Sequence, residues 1–198
     1  MERHVADPYV RKAKALGYRS RAAFKLAGID RADRLLAPGQ RVVDLGAAPG
    51  GWSQVAAKKV GAGGQVIAVD VLEMAPLPGV MVIRGDFTEE AVLREVERAL
   101  GGARVDLVLS DMSPNLSGVG AADQARSIQL CELALEFGLA HLKPGGSLLV
   151  KAFQGAGFPA FLQRLRASFE RVVSRKPDAS RSRSSEMYLL ARGPRRNG

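Results

Sequence analysis

From residue 41 onward, short apolar runs alternate with helix-length stretches. The runs are rich in Val, Ile and Leu, and Gly, Pro or Asp bounds them. Such a pattern predicts a parallel sheet with helices packed on it. The reading places strands at Arg41–Leu45, Gln65–Val69, Val80–Arg84, Val105–Ser110, Ser147–Val150, Val172–Lys176 and Met187–Leu190. Helices are predicted over Trp52–Val60, from Thr88 to about Leu100, over Ala121–His141 and over Phe158–Phe169. Two further helices precede the sheet. Asp7-Pro8 can start the first, which runs to about Leu16 and ends at Gly17. Ser20 can cap the second, Arg21 to about Leu36, which Pro38-Gly39 stops.

No internal repeat or domain boundary is visible, and 198 residues fit one domain. That domain comprises a helical arm (1–38), an α/β core (39–192) and a tail expected to fray (193–198). Charge changes the picture. The net charge is +9, with a pI near 10.2, which points to a polyanionic partner, nucleic acid above all. Arg3, Arg11, Lys12, Lys14, Arg19, Arg21 and Lys25 crowd the arm. The loop 177–185 is polar and basic as well, and could grip phosphates. The single Cys131 reads as a core residue of a reducing compartment, so the expected location is cytoplasmic. With one Cys and two distant His residues, no zinc site is expected. No apolar run approaches membrane-spanning length.

The first strand ends in Asp44-Leu45-Gly46-Ala47-Ala48-Pro49-Gly50-Gly51-Trp52. Strand, glycine turn and helix start form a ligand cradle, because backbone can approach closely where there is no Cβ. Neither GxxxxGK[ST] nor GxGxxG is present, which disfavours nucleoside triphosphates and nicotinamide cofactors. Asp44 at the mouth would suit a cationic group, and S-adenosylmethionine carries an ammonium and a sulfonium. Asp70, at the tip of the second strand, is placed for ribose hydroxyls. Asp86 could accept from an adenine amino group, with Phe87 or Met81 beside the ring. Asp111 and Lys151 also fall at predicted strand ends. Ligands of doubly wound sheets bind at that edge. The loop 115–120 could move over a substrate.

These residues resemble the FtsJ/RrmJ-type ribosomal RNA 2′-O-ribose methyltransferases, almost end to end. The similarity lies in Asp7-Pro8-Tyr9, Gly17–Leu26, Asp44–Gln54, Asp111–Asn115, Leu142–Gly146, Leu149-Val150-Lys151 and Arg183–Glu186. The resemblance implies a class I, Rossmann-like α/β fold. Its sheet would be seven-stranded and mostly parallel, with helices on both faces and the last strand antiparallel. It places a Lys-Asp-Lys-Glu tetrad on Lys25, Asp111, Lys151 and Glu186. It also implies S-adenosylmethionine as donor and S-adenosylhomocysteine as product. The implied cofactor contacts are Asp44, Gly46, Pro49, Gly50, Gly51, Trp52, Asp70, Asp86, Phe87 and Asp111. The implied substrate is a uridine ribose of the 23S rRNA A-loop in the large ribosomal subunit, met by a monomer through the arm and the 177–185 loop. Transfer RNA or mRNA-cap 2′-O-methylation, and an RNA-binding assembly factor without catalysis, remain alternatives.

Overall fold

The apolar runs pair into one seven-stranded sheet of order β3-β2-β1-β4-β5-β7-β6. The computed structural model describes residues 7–114, 120–180 and 184–195. Along the chain, the arm comprises α1 (Pro8–Ala15) and α2 (Ala22–Asp33). The core then follows as β1 (Arg41–Leu45), α3 (Gly51–Val60), β2 (Gln65–Asp70), β3 (Val80–Arg84), α4 (Glu90–Leu100) and β4 (Val105–Ser110). It closes with α5 (Gly120–His141), β5 (Leu142–Phe153), α6 (Phe158–Ser168), β6 (Phe169–Arg175) and β7 (Glu186–Pro194). Strands β1 to β5 pair in parallel, whereas β7 runs antiparallel to both β5 and β6. The expected Rossmann-like sheet is therefore present. Its last strand, β7, is the antiparallel one, as expected, and lies between β5 and β6.

Two apolar layers flank the sheet. Val92, Val96, Cys131, Leu135 and Phe161 bring α4, α5 and α6 onto one face. Leu26, Ile29, Trp52, Val55 and Val60 bring α2 and α3 onto the other. The central strands are buried on both sides, which is why they read as unbroken hydrophobic runs. Cys131 is buried within the first layer.

Several boundaries differ from the sequence reading. Asp7 caps α1 as expected, accepting from Tyr9 N at 2.9 Å. Ser20 does not cap α2, whose N-cap is Arg21 without a side-chain bond. α2 ends at Asp33 rather than near Leu36, because Arg34 turns left-handed at φ 50°. Asp30 Oδ1 accepts from Leu36 N at 2.8 Å and fixes this turn, so Leu35 and Leu36 enter the core as extended chain. β7 continues to Pro194, and Arg195 N donates to Ser168 O at 2.8 Å. Residues 193–195 thus belong to the fold, not to a frayed tail. Arg3, Asn115, Arg181 and Arg183, with most of the 115–120 loop, lie outside the described residues.

Candidate active site

The strand order reverses direction between β1 and β4, and the chain turns at their carboxyl ends build an open pocket. Asp111 N donates to Leu45 O at 3.0 Å, and Gly46 N donates to Val69 O at 2.9 Å, locking the three strand tips together. Gly46 has φ +74°, and a Cβ there would lie 2.8 Å from the Met112 backbone. Only glycine allows that close approach. The resulting cavity, of about 540 Å³, lies within the range of small-ligand sites. Gly46, Asp70, Asp86, Phe87, Asp111 and Met112 line it. Arg126, Gln129 and Leu130 of α5 form a further wall, which the sequence reading missed because helical periodicity alone does not show what a helix overlooks.

The carboxylates on this wall already hold backbone. Asp70 Oδ2 accepts from Ala48 N at 2.9 Å, and Oδ1 accepts from Leu72 N at 2.8 Å. Asp86 Oδ1 accepts from Thr88 N and Oγ1, capping the following turn. Each oxygen keeps lone-pair capacity, so these bonds aim the carboxylates without exhausting them. Phe87 stands edge-on to Phe137, with ring centres 5.3 Å apart. Met81, half exposed, is not on the pocket wall.

Five expected contacts sit elsewhere. Asp44 is not at the mouth: it is fully buried behind the turn, with Ser53 Oγ donating to its Oδ2 at 2.6 Å. Its Oδ1 has no hydrogen-bond partner. Burial pushes its carboxyl up to about 7, against the Ser53 bond and helped by the charges of Asp111 and Asp70. Trp52 is likewise a core residue, 2% exposed, with Nε1 donating to Ala22 O at 2.8 Å. Gly51 is buried under the arm, where a Cβ would collide with Ser20 Oγ. Gly50 has φ +107° and packs beneath Leu77, Met74 and Arg19. Pro49 lies in the same turn, and its carbonyl accepts from Arg19 Nη1 at 3.2 Å.

The buried Asp44 makes stability depend on pH. An acid whose folded pKa is raised contributes stability that is complete below its ordinary value, 3.8 here, and is lost as pH rises through about 7. In Asp44→Asn this decline should vanish. Melting midpoints of both proteins across that span should therefore converge or cross as pH rises. Parallel curves would refute the assignment.

The second half of the site is a network of charged groups. Lys151 Nζ donates to Asp111 O at 2.7 Å and lies 3.1 Å from Asp111 Oδ1. Lys25 Nζ donates to Glu186 Oε1 at 2.7 Å. Tyr188 joins the two pairs: its hydroxyl donates to Asp111 Oδ1 at 3.0 Å and accepts from Lys25 Nζ at 3.3 Å. Tyr188 is completely buried, and burial drives its hydroxyl pKa far up, with Asp111 and Glu186 adding to the effect. It therefore stays a neutral donor. Burial would raise Glu186, but the hydrogen bond and charge of Lys25, with Ser180, outweigh it and hold the carboxyl below its usual range. The structure thus brings Lys25, Asp111, Lys151 and Glu186 together. Tyr188 was missed. Its signal was two-residue spacing from Glu186 on one strand, which puts both side chains on the same face.

The arm is tied to the glycine turn. Arg19 Nη1 also donates to Ala75 O at 2.6 Å, and Nη2 donates to Pro76 O at 2.7 Å. Gln54 Oε1 accepts from Arg19 N at 2.8 Å. Lys25, on the same arm, is held by Glu186 as well.

A doubly wound sheet with a glycine turn and acidic strand tips around a pocket defines a Rossmann-like α/β fold. A family model described as FtsJ-like methyltransferase matches residues 18–194. The chain belongs to this family. It is 62% identical over 190 residues to "Ribosomal RNA large subunit methyltransferase E" of Azoarcus sp., covering 96% of this chain and 93% of that one. To the protein of the same name from Chromobacterium violaceum it is 58% identical, covering 98% and 95%. Among solved structures, a provisionally assigned ribosomal RNA methyltransferase of Plasmodium falciparum superposes with a TM-score of 0.78 at 26% identity, covering 89% of this chain and 98% of that one.

Proposed function

We propose that the protein transfers a methyl group from S-adenosylmethionine to the ribose 2′-hydroxyl of a uridine in the 23S rRNA A-loop, on the large ribosomal subunit. One observation carries this reading: Asp111 belongs both to the wall of the pocket and to the charged network. A donor in the pocket and an acceptor at the network would meet at that residue. The names of the close relatives and the net charge of +9 support ribosomal RNA as the acceptor.

The pocket fits the donor. Asp70 would hold ribose hydroxyls, Asp86 the adenine amino group, and Phe87, Met112 and Leu130 the flat ring. Gly46 would admit the chain carrying the sulfonium. Asp44, Pro49, Gly50, Gly51 and Trp52 would act on the donor only through the turn they shape. When bound, the donor supplies an electrophilic methyl, whose bond to sulfur breaks as its bond to oxygen forms. The protein's part is to align the acceptor and remove its proton. An ammonium has three N–H groups. Two positions on Lys151 face Asp111, which leaves one for the 2′-oxygen. The hydroxyl proton passes to the Asp111 carboxylate, which Lys151 holds in place. Lys25, fixed by Glu186 and Tyr188, holds the substrate ribose or its phosphate. Alignment of this kind can contribute several kcal/mol, roughly 7–11 in favourable cases.

The test is transfer of labelled methyl to large ribosomal subunits, naked 23S rRNA and transfer RNA. Label on the subunit, mapped to a uridine 2′-oxygen, is expected. Label on transfer RNA alone would replace the substrate, and binding of subunits without any label would replace the enzyme reading by an assembly factor.

A further inference from the structure

Away from the pocket, β6 and β7 build a second cavity. β6 is the edge strand and pairs only with β7. Its register sets Arg171 against Arg192, Val173 against Leu190, and Arg175 against Tyr188. These alternate positions share one face of the pleat. The face is the one covered by α2, since Val173, Leu190 and Tyr188 pack into that apolar layer. Beside α2 the cover ends, and Ala32, Asp33, Arg171, Val173, Arg175, Leu190 and Arg192 enclose about 310 Å³.

Three guanidinium groups thus face one carboxylate. Arg175 grips it in a fork, with Nε on Asp33 Oδ2 at 2.7 Å and Nη2 on Oδ1 at 2.6 Å. This fork holds the Asp33 carboxyl below its usual range, against the effect of burial, and the charges of Arg192 and Arg171 add to it. All three arginines therefore converge on the same small volume. Arg192 Nη2 donates to Asp33 O at 2.5 Å and keeps its remaining donors. Arg171 is exposed and has no hydrogen bond or ion pair with the described residues. One carboxylate offsets one of three charges. Two remain, and the other lining residues, Ala32, Val173 and Leu190, offer no counterion.

The position matters as much as the charge. Arg175 is the register partner of Tyr188, whose hydroxyl touches Asp111 and Lys25. The arginine row therefore starts beside the charged network and descends the strand to Arg171, four residues and about 13 Å away. A few nucleotides of single strand can span that distance. Arginine forks match phosphate oxygens in pairs.

We propose that this cavity seats a backbone phosphate of the RNA whose ribose enters the Lys25–Asp111–Lys151–Glu186 network, with Arg171 and Arg192 as its ligands and Arg175, braced by Asp33, as the fixed wall. The proposal rests on RNA being the substrate. It adds a contact distinct from the arm and the 177–185 loop, and it makes nucleotides flanking the target part of recognition.

Arg171 is the residue to change, because it holds nothing else. Binding of a labelled large-subunit rRNA fragment is measured against salt for the wild type, Arg171→Ala and Arg171→Glu. Arg98→Glu, an exposed site on α4, carries the same charge change as a control. Arg171→Ala should weaken binding roughly tenfold and flatten the salt slope by about 0.7. Arg171→Glu should weaken it further. If both variants bind like Arg98→Glu, the seat is refuted. If methyl transfer fails in the wild type while the arginine dependence persists, the enzyme reading falls and the seat stands. If transfer succeeds without that dependence, only the seat falls.

Discussion

Lys151→Ala should lose methyl transfer by about 10² to 10⁴-fold, the range for removing a positioned proton-handling group. The side chain is 7% exposed and is held between Asp111 O and Oδ1. Without it Asp111 keeps only Tyr188 as a hydrogen-bond partner for Oδ1, and nothing directs the acceptor oxygen. Donor binding should survive, because Lys151 does not line the pocket. The pair of measurements is single-turnover transfer with saturating RNA and calorimetric titration of the donor. Turnover close to wild type would remove Lys151 from the mechanism. Loss of donor affinity in step with turnover would mean that the substitution had collapsed the pocket instead.

Trp52→Ala should be the most damaging change outside the charged network. The indole is buried between α2 and the sheet, tilted 44° against Tyr188 with ring centres 5.6 Å apart. Truncating a buried aromatic of this size costs roughly 3–5 kcal/mol. In a chain of this length that corresponds to a fall of roughly 6–20 °C in melting midpoint. The loss also removes the Trp52 Nε1 hydrogen bond to Ala22 O at the start of α2, three residues before Lys25. Thermal unfolding checks the first effect. A variant melting within about 2 °C of wild type, less than a single kcal/mol would move it, would show that Trp52 is not a core residue.

How far the sequence could be read depends on the length scale of each signal. β-branched runs and glycine turns are local, so the sheet, its strand tips and the acidic residues on them were legible. So was the meeting of Lys25, Asp111, Lys151 and Glu186, though through family resemblance rather than spacing. Lys25 and Glu186 are 161 positions apart, and no periodicity links them. Burial was harder. Asp44 looks like a ligand group because it is charged and precedes glycines. It lies buried behind the turn, where Ser53, in the first turn of the next helix, donates to it. Trp52 looks like a cofactor contact until α2 covers it. Leu35 and Leu36 look like helix because they are apolar and near one. The side chain of Asp30, which ends that helix, carries no pattern of its own. The arginine cavity depends on the register of two strands and the end of a helix, three facts that a linear reading holds apart.

The reversed strand has a consequence for the order in which the molecule can be completed. β6 pairs with β7 alone, and β7 follows it in the chain. During synthesis β6 emerges with no place in the sheet, and β5 waits with an open edge. Both are satisfied only when β7 slides between them. The same strand carries Glu186 and Tyr188. Closing the sheet and completing the charged network are thus a single late event. A chain that stops short of β7 lacks Glu186 and Tyr188 and leaves the edge of β5 unpaired.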